Sequence, residues 1–174
     1  MRSTRQENVQ EHCLQVAMIA HALGVIKNKK FGGNVNPERL AVLGIFHDAT
    51  EILTGDLPTP VKYFSGDLRE AFKSMETHAE NEILSLLPEE FHSEYSSLFK
   101  AVEADKEHWK MIKAADVICA YIKCLEETSA GNKEFNKAKY SIEAKLKEID
   151  RPEVEYFMKH FIPSFSLSLD EMGQ

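Results

Sequence analysis

The sequence predicts an all-α fold, a single array of packed helices over residues 1–174, on three observations. Apolar residues recur at spacings of three and four through most of the chain. No segment shows the apolar–polar alternation of a half-buried strand. Proline and glycine fall at the boundaries between the periodic segments.

The elements follow in order. Val9, His12/Cys13, Val16, Ile19/Ala20 and Leu23 form one apolar stripe, and Phe31-Gly32-Gly33-Asn34 ends that helix. Asn36-Pro37-Glu38 opens the next, with an N-cap, a proline whose φ is already helical, and an early acid facing the helix dipole. It carries Leu40, Leu43 and Phe46 and ends near His47-Asp48. The stretch from Leu53 to Pro60 holds a glycine and two prolines, so it reads as a loop. A long amphipathic helix is expected from about Leu68 to Leu87, and Pro88 restarts the chain for a shorter one through Tyr95, Leu98 and Phe99. The most apolar helix runs from Trp109 to about Glu127. Another spans roughly Phe135 to Ile149 after Gly131-Asn132, and a short helix follows Pro152.

Composition narrows the function classes. With 174 residues, 43% of them hydrophobic and 28% charged, the chain can build its own core without a disulfide or a structural metal. The net charge of -7, from 21 basic and 28 acidic residues, argues against polynucleotide binding; Lys27, Lys29 and Lys30 form the densest basic cluster. A single nucleotide, whose phosphate needs only a local positive site, remains compatible. No apolar run approaches the roughly 18 residues of a membrane helix, and no signal core follows the N-terminal charges, so no membrane association and a cytoplasmic location are expected. Cys13, Cys119 and Cys124 are odd in number with no CxxC spacing; each reads as a buried apolar residue in a reducing compartment.

Four residues do not read as packing. A histidine such as His47 suits a helix C-terminus, but the acid beside it, Asp48, does not. Asp116 shares a helix face with Ile112, Cys119 and Ala120, where a charge needs a partner or a metal; Lys113 and Lys123 are the local ion-pair candidates. His12 by itself reads as a satisfied histidine on an apolar stripe. Together, two imidazoles and two carboxylates from three helices make a mixed nitrogen and oxygen set suited to a divalent first-row metal. His21, His78, His92, His108 and His160 lack such company and are assigned to surface or packing roles.

The order His…His-Asp…Asp resembles the HD-domain metal-dependent phosphohydrolases. Longer strings sharpen the likeness to the bacterial 5'-deoxynucleotidases of the YfbR type. They are Glu7-Asn8-Val9-Gln10-Glu11-His12, Phe46-His47-Asp48-Ala49-Thr50-Glu51, Thr54-Gly55-Asp56-Leu57-Pro58-Thr59-Pro60 and Lys113-Ala114-Ala115-Asp116. Cys119 to Glu127 and the tail Pro163 to Glu171 resemble the same family, so the match covers nearly the whole chain.

The resemblance implies an HD-domain helical array that forms a homodimer and removes phosphate from deoxyribonucleoside 5'-monophosphates. It places the metal ligands on His12, His47, Asp48 and Asp116, with cobalt best attested and manganese or copper also accepted. It places the substrate contacts on His12, Asp56, Leu57, Pro58, Thr59 and Asp116, and the catalytic acid on Glu51. Family members also carry an N-terminal segment with an Arg-Trp pair that orients phosphate and packs on the nucleotide. This sequence has no Arg-Trp pair, its single tryptophan being Trp109, and so resembles a shortened version, with Arg2 and Arg5 nearest the missing segment. Two other readings stay open: a non-catalytic helical module that binds a nucleotide, and an HD-type hydrolase acting on another nucleotide.

Overall fold

The computed structural model describes residues 2–55, 64–100, 102–167 and 170–171. Among these residues it contains helices and no strand, as the spacing predicts. The α-helices are α1 (Val9–Phe31), α2 (Pro37–Phe46), α3 (Glu51–Thr54), α4 (Gly66–Ser85), α5 (His92–Phe99), α6 (Lys106–Ser129), α7 (Asn136–Glu148) and α8 (Pro152–His160). Short 3-10 turns lead into α5, α6 and α7, and another follows α8.

Local signals set most boundaries. The Asn8 side chain accepts the backbone N–H groups of Gln10 and Glu11 at 3.0 Å each, so α1 starts with its first donors satisfied. Gly32, at φ 64°, ends α1 in the left-handed conformation that glycine adopts without strain. Asn36 caps α2 through the Arg39 N–H at 2.9 Å. Ser65 caps α4 through Leu68, so that helix begins two residues earlier than its apolar pattern indicates. α6 also outruns its apolar stripe at both ends, because the ends of a helix continue on polar residues that periodicity does not register.

α1, α2 and α6 pack mutually and hold the centre of the core; α8 covers α1, and α7 covers α6. Val16, Leu23, Leu40, Leu43, Met111, Ile118 and Ile122 are fully buried there. Each such side chain contributes about 1.5–3 kcal/mol relative to exposure. Gly44 lets α2 approach α1: a Cβ at that position would lie 2.7 Å from the Ala17 Cα.

Buried charges on the periphery are paired. The Arg39 guanidinium donates to both Asp105 oxygens and to Ser97, and His108 Nδ1 lies 3.2 Å from Asp105. Arg151 bridges Glu107 and the buried Glu153, and Lys27 donates to Glu107 at 2.8 Å. His108 and His92 thus take the packing roles expected of them, His92 bonding the Leu87 carbonyl.

One expectation is corrected. α1 is long enough and apolar enough on average to cross a membrane, even though polar residues interrupt its apolar run. In this fold its apolar stripe serves another purpose: Val16, Ala20 and Leu23 are buried between neighbouring helices.

Candidate metal centre

The site forms where the N-terminal end of α1 meets the C-terminal end of α2. His12 lies in the first turn of α1, its N–H bonded to the Asn8 carbonyl at 3.1 Å. His47 is the residue that ends α2, and the backbone continues through tight turns: Ala49 N–H bonds Phe46, and Glu51 N–H bonds Asp48 at 2.9 Å. The helical sense therefore persists far enough to carry Glu51, first residue of α3, one turn beyond Asp48.

His12, His47 and Asp48 each offer a ligand atom, all within 4.8 Å of one another. Asp48 Oδ2 stands 3.0 Å from His47 Nε2 and 3.5 Å from His12 Nε2. Asp116, from α6, joins through His12, its Oδ1 lying 3.3 Å from Nε2. It stands at the edge of the tight trio and is half exposed, so the site opens towards solvent on its side. Of the two lysines considered as ion-pair candidates for Asp116, Lys123 instead donates to the Arg5 carbonyl at 2.9 Å and lies 3.6 Å from Glu127.

The His47 ring fixes its own tautomer. Nδ1 lies 2.8 Å from the Gly44 carbonyl, which can only accept, so Nδ1 carries a hydrogen and Nε2 is turned towards Asp48. Nε2 is buried, and its approach to Asp48 lacks hydrogen-bond geometry. A lone pair facing a carboxylate calls for a cation between them, either a proton or a metal.

The electrostatics agree. Burial lowers the pKa of His12, but hydrogen bonds to Asp116 and then Asp48 outweigh it and push it up to about 10. Burial likewise opposes charge on His47, yet Asp48, the Cys13 side chain and the Gly44 carbonyl push it up to about 10. Burial would raise Asp48, but the two imidazoles hold it well below the usual carboxylate range. The carboxylates thus favour positive charge at both imidazoles, as they would favour a divalent ion among them. The nitrogen and oxygen donors, their convergence and the orphaned Nε2 fit such an ion.

Asp56, Leu57, Pro58 and Thr59 lie outside the described residues. Two participants escaped the sequence reading. The Gly44 carbonyl orients His47, and its signal is the three-residue spacing that places it one turn earlier. The buried Cys13 side chain lies beside the His47 ring, where adjacency to His12 is the only hint.

A model of the YfbR-like 5'-deoxynucleotidase family matches residues 1–165. This chain belongs to that family. Among YfbR-like proteins, a 5'-deoxynucleotidase of Vibrio atlanticus is 54% identical over 173 residues, 99% of this chain and 89% of the relative. The 5'-deoxynucleotidase YfbR of Escherichia coli is 52% identical over 174 residues, 100% of this chain and 87% of its own length. A crystal structure of an HD-domain phosphohydrolase from Listeria innocua superposes with a TM-score of 0.81 at 26% identity, over 99% of this chain and 83% of the other. The helical array of this YfbR-like chain is therefore an HD-domain fold.

Proposed function

We propose that this protein is a metal-dependent phosphomonoesterase that hydrolyses deoxyribonucleoside 5'-monophosphates to the deoxynucleoside and phosphate. Membership of the YfbR-like family and the names of its relatives support the reaction. The observation that carries the metal dependence is the convergence of His12, His47 and Asp48 within 4.8 Å, with Asp116 against His12.

His12, His47, Asp48 and Asp116 would hold the ion. When bound, a divalent ion there lowers the pKa of an attacking water and draws electron density from a phosphoryl oxygen. Every other task falls to the chain. The Gly44 carbonyl keeps the His47 Nε2 lone pair pointed inward. His12 and Asp116 also border the open side, where the phosphate would enter. Glu51, one turn after Asp48, is the proton-transfer group: the water oxygen bonds to phosphorus, the bond to the 5'-oxygen breaks, and Glu51 manages the proton between them. The family resemblance assigns substrate contact to Asp56, Leu57, Pro58 and Thr59, with Asp56 as the hydrogen-bond partner of a sugar hydroxyl.

The donor set favours a first-row ion, with cobalt, manganese or copper as occupants. The reading includes a homodimer, which the exposed Leu14, Met18, Val42 and Ile45 on α1 and α2 support as apolar surface suited to a second copy. It also includes a cytoplasmic location, in keeping with three buried, unbridged cysteines.

The test is phosphate release from a panel of deoxyribonucleoside and ribonucleoside 5'-monophosphates, with and without added cobalt or manganese. Release from the deoxy substrates that depends on metal and disappears in His47→Ala and Asp116→Ala, with the helical signal intact, is the expected result. Near-normal turnover in either variant refutes the ligand assignment. Binding without release would favour a non-catalytic nucleotide-binding module.

A further inference from the structure

Glu127, in the last turn of α6, takes no part in the reaction above, yet its side chain is only 1% exposed. Its carboxylate accepts the Thr4 N–H at 3.0 and 2.9 Å, the Thr4 hydroxyl at 2.8 Å and the Arg5 N–H at 3.3 Å. Asn132 donates to it at 2.8 Å and, with the same side-chain nitrogen, to the Arg2 carbonyl. Lys123 adds a bond to the Arg5 carbonyl. The chain ahead of α1 is thus clamped to the C-terminal end of α6. Burial opposes charge on Glu127, but the Thr4 and Asn132 donors outweigh it and hold the group at about 2, so it is ionised at neutral pH.

The clamp sits on the helix that also carries Asp116. The two acids lie about three turns apart on one face of α6, roughly 16 Å of helical rise. On the other path, Thr4 to Asn8 spans at most about 14 Å of extended chain, and the first turn of α1 adds about 6 Å to reach His12. The two paths are of similar length, so little slack separates the clamp from the imidazole. His12 also occupies a first helical turn, which opens readily unless it is held.

We propose that Glu127 is a positioning residue for the metal centre: by tying the chain ahead of α1 to the helix that bears Asp116, it holds the first turn of α1, and with it His12, in register with Asp116. This rests on the reading of His12 and Asp116 as ligands.

Two full-length variants test it. Glu127→Gln removes the charge and one acceptor oxygen. Thr4→Pro deletes the amide donor while leaving α6 and the core untouched. Amide hydrogen exchange without metal, at a temperature where both variants are folded, is compared at His12 and Cys13 on one side and Ile118 and Ile122 on the other. A titration with cobalt alone, followed by its visible absorption, gives the metal affinity. We expect exchange at His12 and Cys13 to rise at least tenfold with Ile118 and Ile122 unchanged, and cobalt affinity to fall about tenfold. Unchanged exchange at His12 in both variants overturns the proposal. So does a uniform rise across α1 and α6, which would mean that Glu127 only stabilises the whole fold. The exchange measurement needs no metal, so it decides the clamp even if the wild-type protein takes up no cobalt, a result that would count against the ligand assignment instead.

Discussion

Glu51 follows Asp48 by one tight turn, anchored by its own N–H to the Asp48 carbonyl at 2.9 Å. That placement sets the Glu51 backbone one turn beyond the cluster, and Glu51 is not one of the three converging residues. Glu51→Gln keeps the shape and removes the group to which the proposed reaction assigns proton transfer. The variant should bind cobalt and nucleotide as the wild type does while kcat falls at least about a hundredfold. A kcat within a few-fold of wild type, measured at saturating substrate, would take Glu51 out of the chemistry. At this same scale the local motif was legible. His47-Asp48 stands out because an acid at a helix C-terminus opposes the dipole, and the structure gives that acid two imidazole partners.

α2 reaches the site because it can lie close against α1. Gly44 has two roles there: it leaves room for the Ala17 backbone, and its carbonyl holds His47 Nδ1. Gly44→Ala would place a methyl 2.7 Å from the Ala17 Cα, and backbone at that point cannot rotate away. We expect a loss of about 1–3 kcal/mol, typical of overpacking, together with weaker metal binding because His47 moves with α2. Urea unfolding and a cobalt titration measure the two effects. A variant as stable as wild type would show that the helices separate at no cost. The start of α2 was readable from Asn36-Pro37, since a cap acts within one turn; the Asn8 cap of α1 emerged only in the structure. The true lengths of α4 and α6 were less so, because periodicity marks only their buried faces.

Across the whole molecule, buried and half-buried acids tie distant segments together. Hydrogen bonds from Arg151 and Lys27 outweigh desolvation and hold Glu107 at about 2, below its ordinary value of 4.5. Glu127 is held at about 2 against the effect of burial. A carboxyl whose folded pKa is depressed stabilises the fold fully above its unfolded pKa and loses that contribution as pH falls through the folded one. Stability should therefore decline between about pH 4.5 and 2, and Glu107→Gln should decline less steeply over that window. Urea midpoints taken at intervals across it provide the check; parallel curves for wild type and variant would dissociate Glu107 from acid unfolding.

The sequence alone determined the helical class, the approximate elements and, through its resemblance, the family, because periodicity, caps and long motifs are all written along the chain. Tertiary structure decided which of these residues meet. Asp116 contacts His12, and Glu127 bonds Thr4 across 123 positions of sequence. Neither contact leaves a local trace, because the partners are brought together only when α1 packs on α6, and a pairing made by packing has no period to read.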